Sequence, residues 1–237
     1  MSKALNFVSQ AGSKVAGFFG NGSSSYSSCT RCESAYSGAK PPTGSGLPAW
    51  QYHSKGKEWT AHTLAAIDRE GLAYTNPKDA AVYCSNWKNM TLLQRRSFWL
   101  NFSSKLAEQE SGFRSTQTFF ESKGASFGSS SNGLFSMSVG DCSNLQTTQD
   151  TITDSKNISC AIKTMKSYLN KHGGYIGTGS NKGLGYYWQP LNDNPKYYVA
   201  ETLANKRALL NFTRSLPYCR GTTSAEFSLL RGLIHGS

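Results

Sequence analysis

One glutamate stands out among the acidic residues because it falls within an apolar helical pattern. Large apolar side chains recur at spacings of seven, three and four at Leu92, Trp99, Phe102 and Leu106. Glu110 follows four residues after the last of these, so a helix would place its carboxyl group on the inward face. Burial and the negative end of the helix both disfavour a carboxylate, so we expect a raised pKa, which suits a general acid. The alternative is a glutamate that turns outward at a fraying helix end.

Helical periodicity predominates in the chain after Trp59. A helix over residues 90–111 carries Glu110 and ends at Gly112. Further helices are predicted over residues 60–72, 157–172 and 196–210, with a short one opening at Asn76 and Pro77.

The pattern changes between the two strongest helices. Glycine and serine are concentrated in residues 124–138, and the short alternation of residues 133–138 suits a strand of a small hairpin. The predicted fold class is therefore mainly α, an α+β arrangement in which a helical domain carries a small β-hairpin.

The first 46 residues differ in composition from the rest of the chain. They contain eleven serines and seven glycines and end in the sequence KPPTGSG, so they bury little apolar surface. We expect residues 1–46 to form a flexible extension and residues 47–237 to form the folded domain.

The net charge of +11 predicts an acidic partner. Lysine and arginine are spread along the domain without a recognition helix or an aromatic-basic repeat, so we do not expect nucleic-acid binding. No stretch approaches the roughly 18 consecutive apolar residues that a membrane-spanning helix requires. The four histidines lack the spacing of metal ligands, and no metal or cofactor is expected.

Six cysteines in a chain with only 16% charged residues favour an oxidising compartment, so we expect a secreted or periplasmic protein. Up to three disulfides follow, and the spacing alone leaves all fifteen pairings open. Cys29 and Cys32 have the spacing of half a zinc site or a redox dithiol, although a structural disulfide is the preferred interpretation. A signal peptide is not evident, because Lys14 interrupts the apolar stretch near Met1.

Three segments, taken together, resemble the lytic transglycosylase and goose-type lysozyme superfamily over residues 92–190. Residues 107–113 read AEQESGF, residues 131–136 read SNGLFS, and a helix then opens at Asn157 and Ile158 and carries Tyr168 and Leu169 in its later turns. In that family Glu-Ser-x-Phe holds the catalytic acid, Gly-Leu-Met-Gln forms a hairpin, and Asn-Ile opens a helix beneath the cleft. The resemblance implies a lysozyme-like fold with the hairpin beside an active-site cleft.

The resemblance assigns the catalytic role to Glu110. It places substrate contacts on residues that lie beside this acid, in the hairpin and in a later aromatic segment: Ser111, Leu134, Phe135, Ser136, Met137, Tyr186 and Tyr187. Ser136 stands where the family has glutamine, and its shorter side chain cannot reach as far toward a sugar. The family's Ala-Tyr-Asn-Ala-Gly segment is absent. Trp188 is either a sugar-stacking residue or a core residue.

The same resemblance implies that Cys142 pairs with Cys160, as in some secreted members, which leaves Cys84 with Cys219 as the long closure. Lysozyme chemistry requires a second carboxylate at a suitable distance from the acid. Three acids are candidates for it, although an ordinary surface role suits each: Glu121, Asp141 and Asp193. The transglycosylase branch uses a single acid that later acts as the base.

The expected function is cleavage of the β-1,4 bond between N-acetylmuramic acid and N-acetylglucosamine by a monomer that acts on peptidoglycan glycan strands. Glu110 would serve as general acid and base, by hydrolysis or by lytic transglycosylation, and the substrate is either an unmodified or a chemically modified wall. The alternative is a lysozyme-fold protein that binds glycans or has a structural role and has lost turnover, a possibility suggested by Ser136.

Overall fold

The computed structural model describes residues 39–120, 130–177, 183–192 and 200–221. Within these ranges the chain is mostly helical and contains one two-stranded antiparallel sheet, which confirms the predicted fold class. Most of the proposed N-terminal extension lies outside the described residues. One cysteine pair and two acidic residues singled out from the sequence also lie outside them: Cys29 with Cys32, Glu121 and Asp193.

Helix α1 spans Gly56–Glu70 and ends at Gly71 in the left-handed conformation. A 3₁₀ turn at Leu72–Tyr74 follows, and the short helix α2 spans Ala80–Tyr83. The predicted start of α2 at Asn76 and Pro77 is wrong by about one turn. The Asn76 side chain does not cap the helix, because its Oδ1 accepts a hydrogen bond from Trp87 Nε1 at 2.9 Å.

Helix α3 spans Leu92–Ser111, close to the predicted bounds. Thr91 and Gln94 form a reciprocal capping box at its start, and Gly112 ends it with φ of 59°. Trp99, Phe102 and Leu106 of the predicted apolar face are fully buried, whereas Leu92, at the first position of the helix, is 44% exposed. The last turn of this helix carries Glu110.

The hairpin lies earlier in the chain than predicted. Strand β1, Thr118–Phe120, pairs antiparallel with strand β2, Ser130–Asn132. Residues 133–136, which we predicted to be a strand, form a turn closed by an isolated bridge between Asn132 and Met137. The alternation was misleading because the apolar side chains of this turn all pack inward and do not alternate between two faces of a sheet.

Helices α4, Thr148–Thr151, and α5, Asp154–Lys171, follow the turn. Helix α5 packs along α1 and starts three residues before the prediction. Helix α6 spans Ala200–Ser215 and ends five residues beyond the predicted residues 196–210, of which 196–199 lie outside the described residues. The remaining regular segments of the described residues are short 3₁₀ turns at Trp87–Asn89, Gly183–Tyr186, Gln189–Leu191 and Pro217–Cys219.

Two disulfides join distant parts of the described chain. Cys142 is bonded to Cys160, which ties the loop after the turn to helix α5. Cys84 is bonded to Cys219, 135 residues away, which joins the end of α2 to the last 3₁₀ turn. Both expected pairings are therefore present.

A single cluster of buried apolar side chains connects the helices and the turn. Trp188 belongs to it, with 1% of its surface exposed, so the alternative in which it stacks on a sugar is wrong in this structure. No described helix is both long enough and apolar enough to cross a membrane.

Candidate active site

Glu110 is half-buried at the C-terminal end of α3, where the turn at residues 133–136 meets the helix. Ser136 Oγ donates a hydrogen bond to the backbone carbonyl of Glu110 at 3.2 Å. Ser111 Oγ donates to the carbonyl of Leu134 at 3.0 Å, so two side-chain hydrogen bonds join the helix end to the turn. The backbone that carries the acid is consequently fixed by the hairpin region.

The turn is held from its other side by Asn157, in the first turn of α5. Its Nδ2 donates to the carbonyls of Asn132 at 3.0 Å and Thr151 at 2.7 Å, and its Oδ1 accepts from Phe135 N at 2.9 Å. A buried amide with three hydrogen bonds of this kind fixes the surrounding backbone strongly. Asn157, which marked the start of a helix in the sequence motif, is therefore a structural anchor of the turn.

Several residues that were predicted to contact substrate have no exposed side chain. The fully buried ones are Ser111, Leu134, Phe135 and Met137. Their side chains shape the turn from within, so a direct side-chain contact with a ligand does not fit this structure. Ser136 is the half-buried member of the turn, and its positive φ of 52° points to a backbone conformation imposed by the surroundings.

Tyr187 lies beside this acid and the turn. Its hydroxyl donates to Asp141 Oδ2 at 2.5 Å and lies 3.7 Å from Met137 Sδ. Burial raises the pKa of Tyr187 well above its usual value, and the negative charges of Asp141 and Glu110 add to this effect. Tyr187 therefore contacts Met137, directly after the turn whose Ser136 is hydrogen-bonded to the Glu110 backbone.

Asp141 holds the side chain of Tyr187 in place, a role that the sequence did not indicate. Its Oδ2 accepts hydrogen bonds from Tyr187 and from the backbone N–H of Ser138, the latter at 2.6 Å. A carboxylate oxygen engaged in this way is committed to holding the tyrosine. No motif placed this residue, because its partner is 46 positions away in the chain.

Further aromatic rings extend the wall formed by Tyr187. Tyr186 stacks on His172 at a centroid distance of 4.5 Å, and Tyr168 lies 4.7 Å from the same imidazole. Burial raises the pKa of Tyr168 to about 12, and burial lowers the pKa of His172. His172 was not a predicted site residue, although its spacing of four from Tyr168 on one helix could have indicated the contact.

The arrangement brings together the carboxyl group of Glu110, a second carboxyl group that holds Tyr187, and several aromatic rings. Such a set suits proton transfer to and from a polar, ring-containing substrate. Among the described residues, no three His, Cys, Asp or Glu side chains are grouped as metal ligands.

Comparison with solved structures identifies proteins of similar fold. Three solved structures that match are of DslA, a Bdellovibrio protein: the wild type and two single glutamate-to-glutamine mutants. The wild-type structure is 21% identical, with a TM-score of 0.62, and the match covers 73% of this chain and 97% of that one. One mutant matches with 22% identity and a TM-score of 0.63. No protein-family model and no curated protein matches this chain.

Proposed function

We propose that this protein cleaves the glycan strands of peptidoglycan at the β-1,4 bond between N-acetylmuramic acid and N-acetylglucosamine, with Glu110 as general acid and then base. The observation that carries the proposal is the fixed position of Glu110 at a helix end that is hydrogen-bonded to the turn of the hairpin. A catalytic acid must be held within reach of the glycosidic oxygen, and this frame provides that rigidity.

The positive charge of the chain supports the same substrate class. The chain has 25 lysine and arginine residues against 14 aspartate and glutamate residues, and a cell wall is an anionic polymer. Two disulfides suit an extracytoplasmic location, where such a wall would be met.

A second carboxylate is suggested by a separation along the sequence. The two DslA mutants replace glutamates that are eleven residues apart in that protein. Glu110 and Glu121 are also eleven residues apart in this chain. Because Asp141 is already hydrogen-bonded to Tyr187, Glu121 is the preferred candidate for the second acid, ahead of Asp141 and Asp193.

The alternative function is binding of glycan without turnover. Ser136 motivates it, because the hydroxyl of this residue is committed to the Glu110 carbonyl and so does not replace the long polar side chain of glutamine. Under this alternative the protein binds cell-wall sacculi and releases no soluble fragment.

The decisive test is digestion of purified sacculi, followed by mass spectrometry of the released products. We expect soluble muropeptides from the parent protein, and at least a thousandfold lower rate from Glu110→Gln, because the proton donor is lost while the shape is kept. The masses also distinguish hydrolysis, which gives reducing sugars, from transglycosylation, which gives anhydro sugars.

Glu108→Gln is the matched control for this test. Glu108 lies on the same helix and is also half-buried, but it pairs with Lys105 and Lys40. We expect this variant to keep its activity within about threefold, since surface ion pairs contribute only about 0–1 kcal/mol. Binding of sacculi without any released product by the parent protein would overturn the enzymatic proposal. A Glu110→Gln protein that melts far below the parent would show a structural role instead.

A further inference from the structure

A cavity of about 510 Å³ lies outside the candidate active site, between the loop after α1 and the C-terminal end of α5. That volume is in the range of small-ligand sites. The lining carries the ammonium groups of Lys78 and Lys166, the exposed ring of Tyr74 and the side-chain amides of Asn76 and Asn170, and it contains no acidic residue.

The two lysines carry positive charges that no carboxylate neutralises within the described part of the chain. Lys78 Nζ lies 5.3 Å above the ring of Tyr175, and Lys166 Nζ makes a long contact of 3.5 Å with the carbonyl of Gly71. Other lysines, such as Lys55 and Lys156, pair directly with aspartates. Two ammonium groups on the wall of one concavity favour an anionic ligand.

The nearest acid in sequence, Asp79, does not line the cavity. It is buried, and its two carboxylate oxygens accept hydrogen bonds from the backbone N–H groups of Ile176, at 2.7 Å, and Gly177, at 3.0 Å. These bonds, together with that from Lys78 N to the carbonyl of Gly174 at 2.8 Å, fix the two walls of the cavity against each other. The cavity is therefore formed before any ligand binds.

The remaining polar groups suit a sugar ring. Asn76 Oδ1 accepts a hydrogen bond from Trp87 Nε1. The Asn76 Nδ2 group is left as a donor with no partner among the described residues. Tyr74 is 71% exposed, so its ring offers a flat face beside the lysines. Aromatic faces accept the apolar face of a pyranose, while lysines and an amide donor bind its charged and hydroxyl groups.

We propose that this cavity binds an acidic saccharide, with the sugar ring on Tyr74 and its carboxylate or phosphate between Lys78 and Lys166. The site is separate from Glu110, and binding there does not depend on the proposed cleavage. In a protein that acts on cell-wall polymers, such a site would hold an acidic part of the polymer away from the bond that is cut.

The test is titration of the full-length ¹⁵N-labelled chain with glucuronic acid, glucose 6-phosphate and neutral glucose, followed by amide chemical shifts. We expect the two acidic sugars to shift the amides of Asn76, Lys78 and Gly174 and to bind at least tenfold more tightly than glucose. A preference for one acidic sugar identifies the anionic group as phosphate or carboxylate. Binding should weaken as salt is raised, because ammonium–anion attraction is screened.

A double variant, Lys78→Gln with Lys166→Gln, should raise the Kd for the acidic sugars at least tenfold. The matched control, Lys163→Gln with Lys171→Gln, removes the same charge from two exposed lysines of α5 that do not line the cavity, and should change the Kd less than threefold. Glu110→Gln should bind as the parent does, whatever its activity. Absence of binding by the parent, equal binding of glucose, shifts centred on Gly112, or equal loss in both double variants would each overturn the proposal.

Discussion

At the residue scale, the pairing of Tyr187 with Asp141 decides which groups remain available beside Glu110. A tyrosine hydroxyl has a single proton to donate, and here Asp141 accepts it. The proton of the Tyr187 hydroxyl is therefore engaged with Asp141. Asp141 thereby acts as a positioning residue for the aromatic wall of the site.

We predict that Asp141→Asn lowers the pKa of Tyr187. Burial is the main cause of the raised pKa, and the negative charge of Asp141 is the next, so removing that charge makes the phenolate less unfavourable. The pKa should fall but stay above 10, because the side chain remains buried. NMR titration of ¹³C-labelled tyrosine measures it, with Tyr187→Phe to assign the resonance. An unchanged pKa in Asp141→Asn would contradict the electrostatic role of this carboxylate.

At the element scale, the turn at residues 133–136 depends on close contact with the start of α5. Gly133 has φ of 73°, and a Cβ there would lie 2.3 Å from the carbonyl oxygen of Thr151 and 2.6 Å from Asn157 Nδ2. Gly140 also has a positive φ, of 85°, but a Cβ there would meet nothing within 4 Å. Alanine at either position would meet backbone strain, but only at Gly133 would it also meet steric overlap.

We expect Gly133→Ala to destabilise the protein by about 3 kcal/mol or more, because a methyl group overlaps the backbone that holds the turn. Gly140→Ala should cost only about 1 kcal/mol, from the left-handed conformation alone. Urea unfolding measures both values. Equal losses in the two variants would show that the contact with Thr151 and Asn157 is relaxed at little cost.

A second connection between elements joins α5 to the region of α1. Asp154 Oδ2 accepts hydrogen bonds from Trp59 Nε1 at 2.9 Å and from Lys55 Nζ at 2.8 Å. Burial opposes ionisation of this carboxyl group, but the bonds from Lys55 and Trp59 outweigh it and hold the pKa of Asp154 below its ordinary value of 3.8. The charged form is thus favoured by folding.

The sign of the pH dependence follows from this lowered pKa. The stabilisation by Asp154 is fully present above its unfolded pKa near 3.8 and is lost as the pH falls through the lower folded value. Asp154→Asn should therefore destabilise the protein by about 2 kcal/mol at pH 7 and progressively less below pH 4. Thermal unfolding between about pH 2 and 7 measures the difference. Asp68→Asn, which breaks the exposed pair with Arg96, should change stability by less than about 1 kcal/mol.

At the scale of the whole molecule, the two disulfides close loops of very different length. Cys84 and Cys219 are separated by 135 residues, and Cys142 and Cys160 by 18. The entropy lost by the unfolded chain grows with the logarithm of loop length, which gives about 5 kcal/mol for the first and about 3 kcal/mol for the second.

Replacing Cys84 and Cys219 by serine should therefore lower the free energy of unfolding more than replacing Cys142 and Cys160. The shorter loop, however, joins the segment after the turn to α5, so its loss should reduce the proposed activity on sacculi more strongly. Urea unfolding and digestion of sacculi by the two double variants test both parts. A larger loss of stability from the shorter loop would contradict the chain-entropy explanation.

Much of the fold could be predicted from local patterns. The bounds of α3 followed from the recurrence of apolar residues and from Gly112, because helix formation and termination depend on residues within one or two turns. The same spacing predicted that Glu110 lies at the end of this helix. The hairpin was predicted too late in the chain, since the alternation of residues 133–138 does not show whether side chains pack on two faces or into one core.

The sequence by itself determined the mainly helical fold class, the likeness of three motifs to a known superfamily and the place of one acid on a helix. Tertiary structure alone decided that Leu134, Phe135 and Met137 are core residues and that Asp141 holds Tyr187. It also brought Lys78 and Lys166 to one cavity. The physical reason is that burial and hydrogen bonding between residues 46 or 88 positions apart depend on how whole elements pack, which local periodicity does not encode.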